Sequence, residues 1–156
     1  MTGDLDEWLD HWARWSVRTD DCYPDGWEDI CGSAEAALWM PYRNGDPSVE
    51  EKLAALELAI EPDPNIAERV EGWVMQIGEP MRTALRVDRV YLPEPMRVRL
   101  HRTPAEWLDW RATALNRALR GRYPGRWHIG SVEYQEAVWD AIEAVRMAIL
   151  MWARSV

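Results

Sequence analysis

Apolar residues in this chain return at intervals of three and four, between residues that cap or break helices, and this commits most of the sequence to amphipathic α-helices. Leu5, Trp8, Trp12 and Trp15 keep that spacing, with Asp4 and Glu7 in capping-box positions, and predict a first helix over 5–17 with a tryptophan stripe as its core face. Asp63 followed by Pro64 opens a second clear helix, in which Ile66, Val70, Trp73 and Ile77 repeat before Gly78 stops it. In Thr103-Pro104-Ala105-Glu106 an N-cap threonine, a proline at the first position and a glutamate at the third announce another, with Leu108, Ala112, Leu115 and Leu119 facing inward and Gly121 ending it. A last helix over 132–153 carries Val138, Ile142, Val145, Ile149 and Trp152, with no Gly or Pro inside.

Other segments are less regular. Residues 19–47 are dense in breakers and read as a long loop, with a short helix over 34–40. Ser48 and Glu51 cap a helix that carries Val49, Leu53, Leu56 and Ile60. Pro80 opens a helix that buries Met81, Ala84 and Leu85, with Tyr91 and Leu92 further candidates. In 96–102, Met96, Val98 and Leu100 alternate with Arg97 and Arg99, which fits either a two-turn helix from Pro95 to Leu100 or an edge strand paired with 85–87. The expected fold is therefore mainly α: a multi-helix bundle with a helix-turn-helix-like part at 64–120 inside a unit spanning 1–122, and a C-terminal docking helix in 123–156. The alternative is an α+β fold with a small hairpin at 84–102.

With 156 residues, 47% hydrophobic and 29% charged, the chain has the balance of one globular domain. Eleven Trp and no Phe make indole the bulky filler, and each buried indole N–H needs a partner. The longest apolar run, Met147 to Ala153, is seven residues, short of the ~20 that span a bilayer. No membrane association is expected. The acidic start, Asp4, Asp6 and Glu7, lacks the pattern of a secretory signal, and Cys22 and Cys31 read as reduced thiols, so the expected location is the cytoplasm.

Catalytic and metal chemistry find no foothold in the pattern. Cys22 and Cys31 lie nine apart and His11, His101 and His128 are scattered, which is not zinc-ligand spacing, and no metal or other cofactor is expected. The acidic pairs Asp20-Asp21 and Glu50-Glu51 fall at turn and capping positions, and no nucleophile or phosphate-loop motif is present, so the chain reads as a non-enzyme. Charge, by contrast, is segregated. Residues 1–80 hold five Arg and Lys against nineteen Asp and Glu, a net of −14; residues 81–130 hold eleven Arg against four acids, +7; the remainder is −2. Such asymmetry within a chain of net −9 points to a polar interaction surface in the arginine-rich part.

The order from Pro64 to Leu119, together with Leu5-Asp6-Glu7-Trp8, His11-Trp12-Ala13-Arg14-Trp15, Cys31-Gly32-Ser33-Ala34-Glu35, Ala67-Glu68-Arg69-Val70, Pro80-Met81-Arg82-Thr83-Ala84-Leu85-Arg86 and Arg97-Val98-Arg99-Leu100-His101-Arg102-Thr103, resembles phage late-gene antitermination proteins of the Q-like group over roughly residues 5–120. The resemblance implies a transcription regulator that binds DNA near a phage late promoter and loads onto bacterial RNA polymerase. It implies a recognition helix beginning at Thr103, with Arg97, Arg99, Arg102, Arg111, Arg117 and Arg120 on phosphates. Two features depart from the pattern. His101 and Arg102 stand where the turn ordinarily has Gly and then an aliphatic plug, and Glu106 and Asp109 share the helix with Trp107 and Trp110, which suit a protein contact. The alternative expectation is a phage-encoded inhibitor of a host factor whose acidic half mimics nucleic acid. Ile149, Met151 and Trp152, near the chain end, are candidates for a homodimer contact.

Overall fold

The computed structural model describes residues 2–18 and 62–155. The loop expected over 19–47, the helices expected over 34–40 and from Ser48 to Ile60, and both cysteines lie outside the described residues. Among the described residues, six α-helices and one π-helical turn form the bundle: α1 (Thr2–Arg18), α2 (Pro64–Gln76), α3 (Met81–Arg86) running into the π turn Val87–Tyr91, α4 (Glu94–Arg99), α5 (Pro104–Arg122) and α6 (Ser131–Ser155). Among the described residues there is no strand, so the hairpin alternative at 84–102 is wrong. Pro93 and Pro95 cannot donate to a ladder, whereas Pro95 fits the first turn of α4, where an N–H has no acceptor anyway.

Local signals fix most helix ends. Asp63 caps α2 by accepting from the Asn65 amide at 2.9 Å, and Pro64 takes the first position. Thr103 and Glu106 form the expected capping box on α5, which runs one residue past Gly121. Helix α1 starts earlier than expected, so Asp4 sits inside its first turn rather than at its boundary. Its buried residues are Leu9, Trp12, Ala13 and Ser16, with Trp8 and Trp15 half-buried beside them. The tryptophan stripe is thus core, rotated towards Leu9.

The core is one cluster to which every long helix contributes. Trp12 is fully buried, and its indole N–H donates to Glu71 Oε2 at 2.7 Å, satisfying the polar atom that burial would strand. Trp8 stacks on Trp73 at 5.6 Å and meets Trp152 at 5.3 Å, joining α1, α2 and α6, with the Arg69 guanidinium over Trp152 at 4.6 Å. Helix α6 packs against α3, α5, α2 and α1 and buries Tyr134, Ala137, Val138, Ala141, Val145 and Ile149, so the docking helix is a wall of the same core. In the π turn the Leu92 amide bonds the Val87 carbonyl at 2.9 Å, and this one-residue widening carries Val87, Val90, Tyr91 and Leu92 all inward. Asp88 and Arg89 are thereby left at the rim.

Candidate nucleic-acid interface

The segment that reads as helix-turn-helix-like is a short helix, a tight turn and a long capped helix. Helix α4 ends in a Schellman motif: the His101 amide bonds the Val98 carbonyl and the Arg102 amide bonds the Arg97 carbonyl, both at 3.1 Å. His101 occupies the position that glycine usually fills, and its φ is +54°. The turn therefore has the left-handed geometry the sequence expectation required, without the glycine.

Three of the six arginines expected to meet phosphate, Arg97, Arg102 and Arg111, are occupied within the protein. Arg111 lies on the inward stripe of α5, one turn from Trp107 and one from Leu115. Its guanidinium donates to the Leu92 carbonyl at 2.9 Å and the Asp88 carbonyl at 3.1 Å, and pairs with Asp88 Oδ1 at 3.1 Å. Tyr134 Oη donates to the same carboxylate oxygen at 3.0 Å and Arg89 pairs with the other at 3.1 Å, so Asp88 knots the π turn to α5 and α6. Burial and the adjacent Asp88 charge raise the Tyr134 hydroxyl well above its usual pKa. Arg97 pairs with Glu94 and donates to the Arg102 carbonyl at 3.0 Å. Arg102 bonds Glu106 at 3.2 Å and lies over the Trp110 ring at 4.7 Å. Thr103 is used as the cap, its hydroxyl and backbone holding the Glu106 carboxyl, with Arg102, below the ordinary glutamate range. The side chain of Arg99 lies outside the described residues.

Trp107 is 1% exposed, so the expectation that it offers a protein contact is corrected: in the bundle its ring is core. Trp110 is half-buried at the surface, 5.7 Å from Trp107. Between α1, the π turn and the start of α4 lies a cleft of about 360 Å³, lined by Asp10, Asp88, Arg89, Pro93, Glu94 and Arg111. Apart from the exposed Asp10, its charges are already engaged with one another around Asp88 and Arg111. No group of three or more metal-ligating side chains occurs among the described residues.

At the other end of α5 the arginines have no such partners among the described residues. Arg117 and Arg120 lie one turn apart, Arg122 ends the helix and Arg126 sits in the turn after it. None of the four has a carboxylate partner among the described residues, and Arg120, Arg122 and Arg126 are exposed. Arg126 packs over Tyr123 at 5.8 Å and Trp127 at 5.4 Å. This end is held rigid by Asn116, which donates to the Ile129 carbonyl at 2.7 Å and accepts from its amide at 2.8 Å, fastening the returning chain to α5. Sequence reasoning reached Arg117 and Arg120 and missed Arg122 and Arg126. The signal was present, since no Asp or Glu occurs between Asp109 and Glu133.

The charge polarity of α5 is thus acidic at its N-terminal end, where Glu106 and Asp109 are exposed, and basic at its C-terminal end. That order complements the helix dipole and is the reverse of a helix that enters a groove N-terminus first. Comparison with known proteins finds no matching family model, no matching curated protein and no matching solved structure.

Proposed function

We propose that the protein is a non-catalytic regulator that contacts a nucleic-acid backbone through the C-terminal end of α5, with the antitermination role on bacterial RNA polymerase implied by its sequence resemblance as the specific form of that activity. The observation that carries the reading is the group Arg117, Arg120, Arg122 and Arg126, unpaired among the described residues in a chain whose other described arginines are largely neutralised from within. Guanidinium forks without carboxylate partners suit phosphate oxygens, and binding would release counterions. Arg97, Arg102, Arg111 and Thr103 act in this reading as the frame that holds α5. Trp110, half-buried beside Arg102, is the residue offered to the polymerase.

The test is the salt dependence of binding to labelled duplex DNA, followed by terminator read-through with purified bacterial RNA polymerase. Each phosphate contact contributes about 0.9 to the slope of log K against log salt, so Arg120→Ala with Arg122→Ala lowers that slope by roughly two units. Arg97→Ala, whose partners are internal, leaves it unchanged. Absence of any complex at low salt overturns the nucleic-acid reading; binding without read-through overturns the antitermination role alone. A second reading, an inhibitor that covers a basic groove on a host protein, is favoured by the exposed acids Asp6, Glu7 and Asp10 on α1 and Glu68 on α2. It predicts no DNA complex, and a stoichiometric complex with a basic protein that weakens when Asp6 and Asp10 are neutralised.

A further inference from the structure

Helix α6 turns one face to the core and carries a second apolar stripe on the other. Val132 and Trp139 are 67% and 66% exposed, Met147 and Met151 are 49% and 66% exposed, and with half-buried Leu150 they recur along the outer side of the helix. At 100° per residue, Val132, Trp139, Glu143 and Leu150 fall within one narrow strip opposite the buried Tyr134, Ala141 and Val145. Large side chains on a continuous outer face, interleaved with charges, are the pattern of a helix that packs on both sides.

The charges on that helix say what the partner is. Its four acids, Glu133, Glu136, Asp140 and Glu143, lie in the first half and its two arginines, Arg146 and Arg154, in the second. We infer that the outer face of α6 is the interface of an antiparallel homodimer, in which α6 pairs with α6 of a second copy. With the helices crossing level with Val145, Glu136 comes opposite Arg154 of the second copy, Trp139 opposite Met151 of the second copy, and Glu143 opposite Met147 of the second copy. Acidic and basic halves then meet, and the exposed Trp139, Met147 and Met151 of both copies come within the contact. A parallel pair sets acid against acid and is excluded by the same charges. Such a contact is isologous, as twofold interfaces are, so a single face suffices for both copies. The contact is independent of the arginine group on α5.

The experiment is sedimentation equilibrium on the full chain over a wide concentration range, with variants on this face. A monomer–dimer equilibrium is expected, abolished by Trp139→Glu, while the far-UV spectrum stays as in the parent and the melting temperature matches the parent's at dilutions where the parent is monomeric, because the side chain is exposed in the monomer. Glu136→Arg meets Arg154 twice across the twofold axis and raises the dissociation constant about tenfold, or about 1.4 kcal/mol. Adding Arg154→Glu to that variant restores the parent value. A monomer at every concentration, as expected if another part of the chain or a different partner covers the face, overturns the inference. So does a dimer indifferent to Trp139→Glu, or a double charge variant weaker than the single one.

Discussion

Replacing His101 by glycine is expected to stabilise the protein. His101 is the one non-glycine residue at positive φ among the described residues, at +54°, and its exposed imidazole has no hydrogen-bond partner there. A Cβ in the left-handed region costs about 1–2 kcal/mol. Glycine removes that cost but loses more backbone entropy on folding, by about 0.5–1 kcal/mol. The middle of each range leaves a net gain of about 0.75 kcal/mol, provided the two Schellman bonds, His101 amide to Val98 and Arg102 amide to Arg97, are kept. For a chain of this length that is about 1–4 °C in Tm. The measurement is urea unfolding followed by far-UV circular dichroism, with His101→Ala as the control, since alanine keeps the Cβ and should gain nothing. If glycine is no more stable than histidine, or if alanine matches glycine, the left-handed cap is not what constrains this turn.

Two other substitutions probe the Asp88 knot. Arg111→Ala strands Asp88 against Tyr134 and leaves the Leu92 carbonyl without its donor; because the pair is mostly but not fully buried, a loss of about 2–4 kcal/mol is expected, read as a lower urea midpoint. Tyr134 is held neutral in the folded state by burial and by Asp88, so its folded pKa lies above its unfolded one. Its contribution is fully present below the unfolded value near 10 and is lost as pH rises towards the folded value. Melting of the parent should therefore fall more steeply above about pH 10 than that of Tyr134→Phe, and parallel curves would refute the assignment.

The sequence by itself determined most of the described helices and where α2 and α5 begin. Asp63-Pro64 and Thr103-Pro104-Ala105-Glu106 are read correctly because a cap is a local contact, made between a side chain and amides two or three residues away. The period of apolar residues marked the inner side of the long described helices to within a fraction of a turn. The ambiguity at 96–102 was real, because six residues of α4 are too few to display a period, and only the chain's neighbours resolved it into helix. Tertiary structure alone decided which charges were spent. Arg111 and Arg117 are alike in the sequence, two arginines on the same helix. Packing turned the first towards Asp88 and the Leu92 carbonyl, while the second stands near the end of α5 with no carboxylate partner among the described residues. Net charge adds up along the chain regardless of position, whereas an ion pair needs two groups within about 4 Å, and that distance is set by how helices remote in sequence come together.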